Sequence, residues 1–299
     1  MTQQAPDREV GEFHHDEAAR ALARRLWRLL EVVHTPMYFS EEVAAGCREL
    51  GLQNRMQGYC ATRTFPLGVV PDAVVAAVFY GFAPRTMALG LPAAWEITTP
   101  QVAGQMTRET MGGLFARLFD GLDDEVARAA ELAREAALLH PTIGRPLAAA
   151  WASQPWDDDP AVMLWQAAGR IRESRGDGHV ALLVAADIDG VGSHLTLNGD
   201  SPELRERMGK LRGWTDPEWD AGVQRLRARG MLGDDGSLTA AGRALRDRIE
   251  AATDDLAAAP WQALGVDASE RLAGALTPLV QPVVDAGILP RFITRRLDA

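Results

Sequence analysis

Residues Thr215–Asp255 read TDPEWDAGVQRLRARGMLGDDGSLTAAGRALRDRIEAATDD, and this stretch decides the fold class. Thr215 with Glu218 three residues on is a capping box, which opens a helix running to Gly230, where a left-handed stop is expected. Met231–Thr239 places apolar flanks around an Asp-Gly turn, the pattern of a tight hairpin. Thr239 then caps a long helix through Asp255. Just upstream, Ser201-Pro202-Glu203 opens a helix to about Leu211. Helix, turn, capped helix, hairpin, helix is the winged-helix order.

Further upstream lies Arg172–Gly190, RESRGDGHVALLVAADIDG. Its Gly-Asp-Gly-His is expected to be a turn, with Asp177 capping a buried helix over Val180–Ala186 and a short strand at His194–Leu197. Before it the pattern is helical almost throughout. Leu22, Leu26, Leu29, Leu30 and Val33 recur at helical spacing until His34-Thr35-Pro36. Glu41–Leu50, Ala73–Phe82, Pro100 to about Phe119, Asp123–Leu139 and Pro160–Glu173 follow as helices. The fold expected is therefore mostly α: an N-terminal helical body followed by a winged-helix (helix-turn-helix plus β-hairpin wing) module. The divisions read as a flexible tail over 1–15, the body over 16–155, the module over 156–258, and a C-terminal helical segment over 259–299. Pro278 and Pro282 are expected to break that last segment as it packs across body and module.

The 299 residues carry a formal net charge of −10, and Lys210 is the one lysine among 31 basic residues. Such a balance argues against a surface that wraps phosphates. Cys47 and Cys60 lack metal-ligand spacing and read as free thiols of a reducing cytoplasm. The polar, acidic start shows no secretory signal, and no apolar run reaches membrane-spanning length, so a cytoplasmic protein without membrane contact is expected. No histidine pair has the spacing of a metal motif, and there is no phosphate-cradling glycine loop or nucleophile elbow; neither metal nor cofactor is expected.

The phrases RLRARGML, DDGSLTAAGRALRDRIE and TDDLAAAPW resemble the MarR-like winged-helix superfamily. HTPMYF, GYCATRTFPLG, FYGFAP and RESRGDGHVALL, spread over most of residues 20–290, resemble more specifically an actinobacterial SalK-like family of winged-helix proteins. That resemblance implies a recognition helix over Asp216–Arg229 with Gln224, Arg225, Arg227 and Arg229 toward DNA, a wing at Gly233–Ser237, and a homodimer. Charge opposes the DNA reading. The recognition helix begins Asp216-Pro217-Glu218-Trp219-Asp220, the wing carries Asp234 and Asp235, and residues 201–255 hold ten basic against eleven acidic groups.

Chemistry could come from two polar sets. In the first, Asp177 would orient His179 as a general acid or base, with Arg172 as an anchor; the bland alternative is a helix cap with paired arginines. In the second, His34 lies at a helix end beside Tyr38, while Tyr59 and Arg63 share a helix face. The preferred expectation is a cofactor-independent acid/base enzyme of specialised metabolism, of cyclisation or isomerisation type, acting on a largely apolar small molecule in a pocket between body and module. His179, Asp177 and His34 would be catalytic, and Arg63, Tyr59, Tyr38 and Arg172 would bind substrate. The alternative is a ligand-responsive DNA-binding transcriptional regulator.

Overall fold

The computed structural model of the chain describes residues 13–295 and 297, so most of the tail expected over 1–15 lies outside the described residues. The chain is mostly helical, and no β-strand occurs among the described residues. The architecture is organised around one helix, Pro160–Ala185, started by Asp159, whose side chain accepts from the Ala161 and Val162 N–H groups. It corrects the first expectation. Gly-Asp-Gly-His forms no turn; residues 176–179 lie inside this 26-residue helix. Two interior glycines cost a helix on the order of 1 kcal/mol each, and packing offsets that. Gly169, earlier in the same helix, shows how: a Cβ there would come within 2.7 Å of the Trp151 ring and 2.9 Å of the His34 ring.

Two hydrophobic cores meet along this helix. The first gathers Leu26, Leu30, Phe115, Trp151, Trp165 and Ile171 among many others, and it also takes in Trp261, Leu276 and Val283 from the end of the chain. The second contains Leu183, Ile188, Leu195, Trp219, Val223 and Ile249. The helix thus feeds the first core up to Ile171 and the second from Leu183. Helices Glu17–His34, Asp123–Leu139 and Ala240–Leu264 pack along it. The C-terminal helix Val266–Asp285 runs unbroken through Pro278 and Pro282; its buried residues belong to the first core.

The second core holds the helix-turn-helix. Helix Pro202–Arg212 is capped by Ser201, whose hydroxyl accepts from the Leu204 N–H. Gly213 turns the chain in the left-handed region, φ 77°, and helix Asp216–Ala228 opens with the expected Thr215–Glu218 capping box. Two expectations fail here. His194–Leu197 belongs to a helix, Gly190–Asn198. The β-hairpin wing is absent: Leu232 and Leu238 form a single antiparallel bridge around a tight turn, in which the Gly233 N–H donates to Ser237 O at 2.9 Å. A ladder would have to continue outward past Met231 and Thr239, and the helices ending at Ala228 and starting at Ala240 take the residues beyond. No single helix among the described residues is long and apolar enough to cross a membrane.

Candidate functional site

The middle of the central helix turns Arg172, Arg175, Gly176 and His179, spaced at helical intervals, toward a cavity of about 340 Å³. Its other walls come from Arg24, Trp27, Arg28 and Glu31 of the N-terminal helix and from Arg246, Glu250 and Thr253 of helix Ala240–Leu264. A second cavity of about 350 Å³ shares Arg63, Gly176, His179, Leu197 and Arg246 with the first, and extends past Asp177 to Tyr80, Phe82, His194 and Arg212. The two form one cleft between the cores. Arginines are prominent in the first cavity, and the second adds the apolar side chains of Val78, Phe79, Leu147 and Leu183.

Charge pairing fixes these arginines. Glu173, 1% exposed, accepts from Arg63 (Nη2 to Oε2, 3.0 Å) and from Arg172 (Nη1 to Oε1, 2.6 Å). Burial alone would raise the Glu173 carboxyl, but the two guanidinium groups hold it down at about 2. Burial would likewise lower both arginines, yet Glu173 beside Arg63 and Glu31 beside Arg172 push them above the ordinary guanidinium value. Arg172 Nε reaches Glu31 Oε2 at 3.0 Å, and Arg63 Nη1 donates to the Tyr59 hydroxyl at 2.8 Å. A second chain runs from Arg24 through Asp254 to Arg175, at 2.5 and 2.7 Å. Arg175 also sits 4.5 Å above the Trp27 ring.

His179 lines both cavities, and its Nδ1 lies 2.9 Å from Thr253 Oγ1. The Thr253 hydroxyl gives its own proton to Ile249 O, so it accepts from His179, which places the imidazole proton on Nδ1. Burial lowers the His179 pKa to about 4, leaving a neutral ring and a weak base. Asp177 does cap a helix, though not its own: its Oδ2 accepts from the Ala148 N–H at 3.0 Å, at the start of helix Pro146–Ala152. Its pKa is raised to about 6, chiefly by burial.

His34 stands apart from this group. It is fully buried, stacked on Trp165 with ring centroids 5.9 Å apart and edge-on to Trp151. Its Nε2 lies 3.1 Å from the Tyr38 hydroxyl. Burial drops its pKa to about 3, so it is neutral at ordinary pH, and it forms no part of either cavity wall. Tyr38 and Tyr59 line a third cavity, beside Met37, Val43 and Cys47. Of the residues expected to share one site, Arg63, Arg172 and His179 line the first cavity and Asp177 the second; His34, Tyr38 and Tyr59 line neither, though Tyr59 bonds to Arg63 and Tyr38 lies 5.5 Å from Arg172 and bonds to His34. Among the described residues no group of three or more His, Cys, Asp or Glu could hold a metal ion.

Sequence reasoning missed Arg24, Trp27, Arg28, Arg246 and Glu250. The information was present: Arg24, Arg28 and Glu31 recur at helical spacing on the face opposite Leu26 and Leu30, and Arg172, Gly176 and His179 do so once residues 172–179 are taken as helix. Treating the glycines as a turn hid that second periodicity.

The DNA-facing set also divides. Arg227 donates to Gly233 O and Asp234 O, bracing the bridge turn. Arg229 donates to Ala186 O and Asp187 O at the end of the central helix. Gln224 and Arg225 stay on the solvent face of helix Asp216–Ala228, Arg225 in an exposed pair with Asp189. The helix start is held by the N-terminal body. Arg85 forks onto both Glu218 oxygens and donates to Gly213 O. The Ala83 N–H and Thr86 hydroxyl both donate to Arg212 O, and Trp214 Nε1 donates to Gly81 O at 3.1 Å. Gly213 is obligatory here, since a Cβ would fall 1.8 Å from Thr86 Oγ1.

Two capped helices joined at a left-handed glycine, docked on a larger helical body, define a helix-turn-helix protein. The model of a helix-turn-helix family matches residues 23–290, nearly the whole chain, and the protein belongs to that family. No curated protein and no solved structure matches it.

Proposed function

We propose that this protein is a ligand-responsive, DNA-binding transcriptional regulator acting in the cytoplasm. The observation that carries the reading is the outer face of helix Asp216–Ala228. Ala221, Gln224, Arg225 and Ala228 are exposed along one stripe, and the two alanines leave room for close approach to a groove. Gln224 and Arg225 would then read base edges, Gln to adenine and Arg to guanine. Arg227 and Arg229 hold the module together and take no base. The acidic start, with Asp216 and Asp220 exposed beside Arg205, selects against tight non-specific binding to phosphates. The cleft between the cores would receive the small molecule.

The acid/base enzyme reading has weaker support. It requires His34 and His179 to work on one substrate, and His34 lines neither cavity of the cleft.

A gel shift at 50 and 200 mM salt, using duplexes from around the protein's own gene, tests the proposal. A specific shift that falls at least tenfold in affinity in the Gln224→Ala, Arg225→Ala double variant supports it. A folded protein that shifts no duplex at the lower salt sinks it.

A further inference from the structure

The second cavity, of about 350 Å³, is lined by neutral polar side chains whose protons are already committed. His194 Nε2 lies 2.8 Å from Gly81 O, and a carbonyl can only accept, so the ring proton sits on Nε2. His179 carries its proton on Nδ1 and gives it to Thr253. The Ser193 hydroxyl donates to Gly190 O and the Tyr80 hydroxyl to Ile188 O, both at 2.7 Å. Burial keeps the two imidazoles neutral, each with its pKa lowered to about 4. What these four side chains still offer is lone pairs. His179 Nε2 and His194 Nδ1 accept from nothing among the described residues, and neither is sealed from solvent, so both stay open to the cleft that their rings line.

The arginines of this cavity are engaged elsewhere. Arg63 pairs with Glu173, Arg246 pairs with Glu250, and Arg212 lies 3.9 Å over the Phe82 ring. Arg212 is the least firmly held of the three, which makes an anion the rival occupant. Asp177 opposes one: it lines the same cavity, and above its pKa of about 6 it is a carboxylate. Much of the remaining wall is apolar, with Val78, Phe79, Leu147 and Leu183. An apolar pocket whose few convergent neutral groups present only acceptors selects a ligand by its hydrogen-bond donors.

We infer that the second cavity binds an uncharged, apolar molecule bearing hydroxyl groups, which donate to His179 Nε2 and His194 Nδ1 while its body lies against Phe79, Leu147 and Leu183. The path from there to the helix-turn-helix is short. Gly81 O accepts from His194 and, at 3.1 Å, from Trp214 in the turn between the two helices. A hydroxyl donating to His194 Nδ1 polarises the ring and strengthens its Nε2–H bond to Gly81 O. This names the ligand class of the regulator proposed above and rests on that reading only for the link to DNA; binding itself is measured without DNA, so the two fail separately.

The experiment is isothermal titration calorimetry at pH 7.5 with 2,7-dihydroxynaphthalene, its dimethyl ether, which keeps the rings and lacks the donors, and 2-naphthoate, which brings a charge instead. The diol is expected to bind saturably and at least tenfold more tightly than either. His194→Gln keeps an N–H near the position of Nε2 for Gly81 O and removes the Nδ1 lone pair; His179→Asn keeps an N–H for Thr253 and removes Nε2. Each is expected to bind the diol about tenfold more weakly and the ether as before. Where a variant does not fold, the diol and ether compared on the parent protein decide the matter. No saturable binding of the diol, equal affinity for the ether, tighter binding of the naphthoate, or diol binding unchanged in both folded variants overturns the inference.

Discussion

Arg172 and Arg225 both pair with carboxylates, and the two pairs behave as different physical objects. In the seam between the cores, the Glu31–Arg172–Glu173–Arg63 chain is largely removed from water, with Glu173 1% exposed. On the outer face of helix Asp216–Ala228, Arg225 and Asp189 are 53% and 47% exposed. A buried pair is worth little net over an apolar substitute but is costly to break, because the surviving charge is stranded. An exposed pair is close to neutral and readily exchanges its partner. The seam therefore fixes where the helices sit, whereas the outer face leaves Arg225 able to change partners.

The largest effect expected is acid lability of the interior. His34, His140, His179 and His194 are all lowered by burial, to about 3, 3, 4 and 4. Between pH 6.5 and about 4 the unfolded chain therefore takes up protons that the folded chain refuses, so stability falls as pH drops through that window. Each such proton is worth roughly 1.4 kcal/mol per pH unit. Asp177, raised to about 6, works in the opposite sense between about 6 and its ordinary value, and one group offsets only part of four. Urea midpoints at pH 7.5 and 5.5 check this; equal midpoints would mean that the interior is wet.

Next comes Arg63→Ala. It leaves the Glu173 carboxylate with Arg172 alone and is expected to cost about 3–5 kcal/mol in urea denaturation. A loss under about 1 kcal/mol would erase the distinction between seam and surface. Arg85→Ala removes the half-exposed fork onto Glu218 and is expected to cost less than about 1 kcal/mol, while hydrogen exchange quickens at the amides of residues 215–219. Unchanged exchange there would show that the body does not hold the recognition helix. Smallest is Arg225→Ala, within about 0.5 kcal/mol of the parent; a larger loss would move this arginine into the structural group with Arg227 and Arg229.

The helix-turn-helix was legible because its signals are local. Ser201 and the Thr215–Glu218 capping box specify helix starts through bonds to backbone three residues away, and Pro202 does so through its fixed φ; the structure contains each of them. The wing failed because an Asp-Gly turn favours a hairpin without supplying strands to extend it, and the capped helix at Ala240 uses the residues a ladder would need. The glycines of residues 176–179 misled for a related reason. Glycine weakens a helix locally, but here Arg145 packs against Gly178 and an open cavity lies against Gly176, partners that no neighbour in sequence announces. The separation of His34 from His179 was likewise invisible, since both lie near polar residues in sequence and only the fold encloses one of them in tryptophan.

The central helix has one more consequence, a mechanical one. Apolar packing fixes it in the first core up to Ile171 and in the second from Leu183, and between them Arg172, Glu173, Arg175, Asp177 and His179 bond it to the surrounding helices. No linker lies between the two cores to absorb a displacement. The far end of the helix is where Ala186 O and Asp187 O anchor Arg229, at the end of helix Asp216–Ala228, so the helix-turn-helix is tied directly to the element that crosses both cores.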